Sequence, residues 1–396
     1  MSDAHRGYPH LRVEGTPRER GRQYGEQARD RIARSRYAYE QIFAHTAGWD
    51  WQRVTEEGLR FRQPIAQFNG DYLDEMQGLA EGSGLPLADI LAINVRTEIM
   101  YAAKARQALA VAKPCAVDPA LPRPGECSAL AALPERVTDG HVLIAQNWDW
   151  RLHAYETVVV LEVRQDSKPN FVTVVEAGLL AKSGMNSAGI GLVVNSLVTA
   201  QDRGEPGVPF HILIRAVLDS TTVTDALAVL QSARRSSSAN FLIASAEGIA
   251  LDIEAAPGDF SRLSVLLPTD GLLLHTNHML APPPGVRDLS LWSAPDSAVR
   301  LARARVVLGQ NAQLSPESLM AMLSDHADHP FGICAHADKR APLLDRGATV
   351  ASIVMDLDER RLWLADGQPC RTPYRQLDYG QFLAEQGGLG AAPVRG

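Results

Sequence analysis

The sequence predicts an α+β protein in which two antiparallel sheets pack face to face beneath outer helices, a four-layer αββα sandwich. Three observations predict it. The chain up to about residue 110 carries helical spacing. A proline-rich stretch then separates it from strand patterns that begin at residue 127. From there the elements come in blocks (strands, a helix pair, strands, a helix pair, strands), which is not the βαβ alternation of a parallel sheet.

In chain order, Thr16-Pro17-Arg18-Glu19 reads as an N-cap, a proline at the first helical position and a capping-box glutamate. Helical spacing continues over 20–43, returns over 64–81 with Tyr72, Met76 and Leu79 on one face, and again over 86–103. Residues 113–125, KPCAVDPALPRPG, hold four prolines. Each fixes φ and removes a donor, so an extended surface segment is expected, either a linker or a scissile loop. Strands are expected over 127–137, 141–148, 157–163, 171–177 and 190–197, then helices over 209–219 and 223–233. Further strands fall at 241–245, 250–255 and 272–277, helices at 297–308 and 315–325, and a closing hairpin at 349–357 and 361–365. The expected division is a mainly helical region, 1–126, and an αββα region, 127–396.

With 45% hydrophobic and 21% charged residues the chain has globular composition, and its net charge of -7 argues against a general nucleic-acid surface. No apolar run is long enough to span a membrane, and the opening MSDAHRGYPH lacks the apolar core of a secretory signal, so a cytoplasmic location is expected. The cysteines at 115, 127, 334 and 370 form no CxxC pair; each is either chemical or a small buried hydrophobe.

Cys127 heads the first strand of the second region, in Gly125-Glu126-Cys127-Ser128. A thiol at a chain terminus carries its own base, because an α-amine titrates near 8 and can accept the thiol proton. Obtaining that amine requires breaking the 126–127 bond, which the thiol can do by attacking the preceding carbonyl. Asp149 ends the next strand, and Asp139-Gly140 signals the hairpin between them. A three-residue loop with Gly140 left-handed sets Cys127 opposite Arg151 and Asp149 on the thiol's face, one diagonal step away. Asn277 and Asn195 each end an apolar strand, where an amide N–H can stabilise an oxyanion or merely terminate the strand. Arg346 offers an anchor for a carboxylate or for the Asp149 charge. Asp325, His326, Asp328, His329, Cys334, His336 and Asp338 crowd into fourteen residues, but without HExxH or CxxC spacing; no metal is expected there.

These strings together resemble the acyl-coenzyme A:6-aminopenicillanic acid acyltransferases (isopenicillin N acyltransferases) and the wider C45 autoproteolytic group of N-terminal-nucleophile (Ntn) hydrolases. The resemblance runs through Cys127-Ser128, Gln146-Asn147-Trp148-Asp149, Glu176-Ala177-Gly178, Gly184-Met185-Asn186-Ser187-Ala188-Gly189 with Asn195, and Val208-Pro209-Phe210-His211 with Arg215. It continues through His275-Thr276-Asn277-His278, Pro330-Phe331-Gly332-Ile333-Cys334 and Arg346-Gly347-Ala348-Thr349; Asn94-Val95-Arg96-Thr97-Glu98 extends it into the first region. The resemblance implies the Ntn αββα fold and self-cleavage between Glu126 and Cys127 into α- and β-chains that stay associated. It implies Cys127 as nucleophile, with Asp149, Asn277 and Arg346 in the site and no cofactor or metal. Asn195, Trp148 and Asp345 are the further residues expected around the substrate. The expected reaction is hydrolysis of a small N-acyl amide through a thioester. The alternatives are acyl transfer from a thioester or amide to an amine, or an uncut binding protein on the same fold. Three positions depart from the penicillin enzymes: Glu126 replaces a glycine, Ala335 an arginine and Asp345 a serine. The last adds a negative charge beside the pocket, which favours an amine or cationic substrate.

Overall fold

The computed structural model describes residues 7–111 and 127–384. Cys115, Glu126 and the proline-rich stretch lie outside these residues. Fourteen strands among the described residues, numbered in chain order, form two sheets. The larger runs β1 (His10–Val13), β4 (Val158–Val163), β5 (Phe171–Glu176), β6 (Ser183–Asn186), β7 (Ile190–Ser196), β8 (Ala239–Ser245), β9 (Ile249–Ala255), β10 (Leu263–Leu266). The smaller runs β11 (Leu272–His275), β2 (Ser128–Ala132), β3 (Leu143–Arg151), β12 (Gly347–Asp356), β13 (Arg361–Ala365), β14 (Arg375–Asp378).

The alternation of the strands builds the layers. Along β2 and β3, Ala129, Ala131, Ile144 and Trp148 face the larger sheet and join the main core. Leu130, Ala132, Leu143 and Ala145 face the other way, onto Leu308, Leu319, Met322 and Leu323 of the helices Asp296–Gly309 and Pro316–Leu323. Gly191 of β7 lies where the sheets approach: a Cβ there would stand 2.5 Å from Ile144 Cδ1. On the far side of the larger sheet sit Phe210–Leu218 and Val223–Ser232. The result is the expected α+β sandwich, helix, sheet, sheet, helix.

The caps read from sequence are formed. Thr16 accepts from the Glu19 amide in a capping box, and Ser315 caps the helix from Pro316. Other expectations are corrected. The helical stretch over 20–43 is two helices, Pro17–Gln27 and Arg29–Ala47, and that over 64–81 is Arg62–Phe68 and Gly70–Ser83 with Asn69 capping between them. The first region also supplies one strand, β1, which pairs in parallel with β4, His10 against Val160.

The register of β2 and β3 also differs from expectation. Gly140 is left-handed, at φ 71°, but the strands stop at Ala132 and resume at Leu143. Residues 133–142 bond elsewhere: Leu133 N–H donates to Gly271 O and Thr138 N–H to Leu314 O. Ser128 therefore opposes Asn147, and the ladder extended by one step brings Cys127 to Trp148 rather than to Arg151.

Buried ion clusters join the two regions, and one of them centres on Glu176. Glu176 accepts from Tyr39 Oη (2.7 Å), His153 Nε2 (2.8 Å) and Thr157 Oγ1 (3.2 Å) and pairs with Arg96 Nη2 at 3.1 Å. Burial pushes its carboxyl up, but Arg96 and His153 outweigh burial and bring the pKa to about 2, from an ordinary 4.5. A folded value below the unfolded one stabilises the fold above pH 4.5, and that contribution is lost as pH falls toward 2. Its size is on the order of 3 kcal/mol. The expected result is a wild-type advantage over Glu176→Gln in urea midpoint that is full at pH 7 and shrinks below pH 4.5. A pH-independent gap counts against this pairing.

Candidate active site

Cys127 stands immediately before β2, 4% exposed, on the face that looks into the sandwich. Its carbonyl accepts from Arg300 Nη1 at 2.8 Å and from Asn195 Nδ2 at 3.1 Å. Arg300, on the helix Asp296–Gly309, also donates to Ser128 Oγ (3.0 Å) and Asn277 Oδ1 (3.1 Å), and its Nε pairs with Asp296 at 2.8 Å. One fully buried guanidinium thus ties the cysteine to the asparagine at the end of β11. Nothing in the sequence marked it beyond Asp296, the residue before the helix expected over 297–308, standing four ahead of Arg300.

Asn277 and Asn195 come to the site, but their amides are engaged. Asn277 Nδ2 donates to the carbonyl (3.0 Å) and hydroxyl (3.1 Å) of Ser196, and its backbone N–H to Ser297 Oγ (2.6 Å). Asn195 Nδ2 is shared between Cys127 O and His275 O (3.4 Å), and its Oδ1 accepts from Asn240. Asn195 therefore fixes the backbone of Cys127 instead of pointing at a reacting carbonyl.

Trp148 is buried beside the cysteine, and Lys182 Nζ lies 4.7 Å from its ring centroid. Burial pulls the Lys182 ammonium down to a pKa of about 8; the Cys127 sulfur works against that, and Arg96 adds to it. Lys182 is thus a buried cation within electrostatic reach of the Cys127 sulfur. The sequence reading missed Lys182, since AKSGMN gives a lone lysine no distinguishing pattern.

Asp149 is placed otherwise than expected. In the observed register it lies on the opposite face from the thiol, one step past Trp148 toward the amino side of Cys127. Its Oδ1 accepts from Thr349 Oγ1 at 2.5 Å, and that hydroxyl accepts from the Ala335 N–H at 2.9 Å. Arg346 does not reach Asp149: its guanidinium donates to Ala341 O and Lys339 O, both at 2.9 Å. Asp345 is buried and held by His45 Nε2 (2.9 Å) and Arg151 Nη1 (3.3 Å). Its charge is balanced inside the protein, so it gives no support to a cationic substrate. Arg151 lines a largely apolar cavity of about 600 Å³ together with Ile42, Leu152, Leu343 and Leu344.

No helix among the described residues is long and apolar enough to cross a membrane. The profile of the family "Acyl-coenzyme A:6-aminopenicillanic acid acyl-transferase" matches residues 136–371. The chain is 27% identical over 363 residues to the 40 kDa form of acyl-coenzyme A:6-aminopenicillanic-acid-acyltransferase of Emericella nidulans, covering 91% of this chain and 93% of that protein. Among solved structures it is similar to a mutant conjugated bile acid hydrolase from Clostridium perfringens (12% identity, TM-score 0.45, 68% of this chain and all of that one). It is also similar to penicillin V acylase from Agrobacterium tumefaciens (16% identity, TM-score 0.41, 64% and 87%). With a profile match over more than half its length, this chain belongs to the acyl-coenzyme A:6-aminopenicillanic acid acyl-transferase family.

Proposed function

We propose that the protein is a self-cleaving amide hydrolase whose nucleophile is the thiol of Cys127. Family membership makes acyl-group chemistry on a small molecule the coarse function. The observation that carries the finer reading is the clamp on Cys127: a buried cysteine at the head of a central strand, its carbonyl fixed by Asn195 and Arg300 and its side chain within electrostatic reach of Lys182.

The thiol attacks the carbonyl of residue 126, and water hydrolyses the resulting thioester. Residues 1–126 become an α-chain and 127–396 a β-chain that remain associated. The freed α-amine of Cys127 then serves as base. Asp149, lying toward the amino side of Cys127, holds the new ammonium from the opposite face of the sheet. The thiolate attacks the substrate carbonyl, and Asn277 exchanges its bonds to Ser196 for one to the oxyanion. The amine product leaves with the ammonium proton, and water releases the acyl group. Arg346 orders the loop through Ala341 and Lys339 rather than meeting the substrate. Transfer to an amine is the second reading, favoured by the acyltransferase name of the Emericella relative; product partition that responds to added amines selects it. A cytoplasmic location remains part of this proposal.

The test is intact mass of the purified protein before and after a panel of N-acyl amides. The expected result is two polypeptides, one starting at Cys127 and gaining the acyl mass transiently. Active material made of one unbroken chain overturns the mechanism, and an inert unbroken chain selects a binding protein on the same fold.

A further inference from the structure

The crowded loop after residue 325 is drawn together by the fold in a way its spacing hides. Two of its acids are taken up by arginines: Asp325 forms a paired contact with Arg303 (2.7 and 3.0 Å), and Asp338 pairs with Arg340 at 2.9 Å. Its soft donors converge instead. His336 Nε2 lies 3.0 Å from His326 Nε2 and 3.7 Å from Cys334 Sγ. It is also 3.4 Å from the sulfur of Cys370, which arrives from beyond β13. All four donor atoms lie within 4.8 Å of one another.

We propose that His326, Cys334, His336 and Cys370 form a zinc site. A tetrahedral zinc with bonds of about 2.3 Å to sulfur and about 2.0 Å to nitrogen sets donor–donor edges of about 3.3–3.8 Å. The separations of 3.0, 3.4 and 3.7 Å around His336 already lie near those edges. Two sulfurs and two imidazoles without a carboxylate suit a thiophilic cation over magnesium or calcium. The four protein ligands close the coordination sphere, so the ion is structural and binds no substrate. Binding through Nε2 leaves the His336 proton on Nδ1, where the Gln368 amide now sits at 3.2 Å; Gln368 then turns its oxygen to that proton and gives up its bond to Ala335 O.

The site lies behind Asp149. Cys334 and His336 flank Ala335, whose N–H holds Thr349 Oγ1, which in turn donates to Asp149. A metal gripping both flanks fixes that carboxylate from the outer face of the sheet, and it ties the loop to Cys370 across β12 and β13. The expectation of no metal in this loop came from looking for short spacings, and the fourth donor is 34 residues from His336. Metal binding stands or falls independently of the hydrolase reading.

The test uses full-length Cys127→Ala protein, so that the nucleophile cannot contribute a thiolate, reduced and stripped with chelator. On titration with cobalt(II) we expect one equivalent to bind, with the thiolate charge-transfer band of a four-coordinate site, and one equivalent of zinc to displace it. Cys370→Ser and His326→Ala, both at exposed positions, keep the fold and weaken binding by more than about 100-fold, the upper end of what losing an outer partner does. Cobalt that fails to bind the reduced protein stoichiometrically overturns the site, as does uptake unchanged in both variants. A Cys334–Cys370 disulfide seen by mass, with no metal uptake after reduction, also overturns it and identifies a redox pair instead.

Discussion

Replacing Cys127 with alanine is expected to leave the 396-residue chain in one piece and to abolish acyl release. Both outcomes have one cause. The proposed cut and the proposed turnover use the same sulfur on two carbonyls, that of residue 126 and that of the substrate. Removing a catalytic nucleophile in an enzyme of this kind lowers kcat by about 10⁴-fold or more. The fold has no reason to suffer: the side chain is small, and the carbonyl that Arg300 and Asn195 hold is backbone. Denaturing gels and thermal melts of Cys127→Ala therefore separate loss of chemistry from loss of structure. Two fragments from the alanine variant remove Cys127 from the cutting step, and turnover near wild type removes it from the reaction with substrate.

Arg300→Met is expected to be the most damaging change away from the nucleophile. The guanidinium is 1% exposed and serves Asp296, Ser128, Asn277 and the Cys127 carbonyl. A thioether fills the volume but takes that donor from each acceptor and the counter-charge from Asp296. Stranding a buried partner costs about 3–5 kcal/mol, which sets the expected stability loss. The cysteine and the asparagine also lose their shared tether, and misplacement by about 1 Å lowers turnover by roughly 100-fold. Arg300→Lys keeps the charge but not the fork, so it should recover much of the stability and little of kcat. Melts paired with kcat and KM below the melting range decide this. A methionine variant with normal kcat shows that Arg300 is only a packing element.

How far the sequence carried these conclusions depended on whether the relevant forces were local. Caps and helix starts at Thr16 and Ser315 were legible because their partners lie three residues on. The layered fold was legible because blocks of strands and helices leave few ways to bury their apolar faces. The β2–β3 register was not. Asp139-Gly140 is a sound turn signal, but the backbone groups around it are claimed by Gly271 and Leu314, distant in the chain. That moved Asp149 to the other face of the sheet. Arg300 and Lys182 escaped notice for the same reason: a charged residue becomes informative only once burial surrounds it with specific partners. Cys370 joined His326, Cys334 and His336 only through the turn that follows β13.

The parallel pairing of β1 with β4 bears on what a severed molecule would be. Its leading piece would still own one edge of the larger sheet, and Tyr39 and Arg96 would still grip Glu176 on the other piece. Dilution would not part the halves, because neither has a complete interior alone. Once parted by denaturant they would have to meet again by diffusion, so recovery would depend on concentration where an uncut chain's would not. Maturation of this kind would turn a reversible folder into one that assembles well only once.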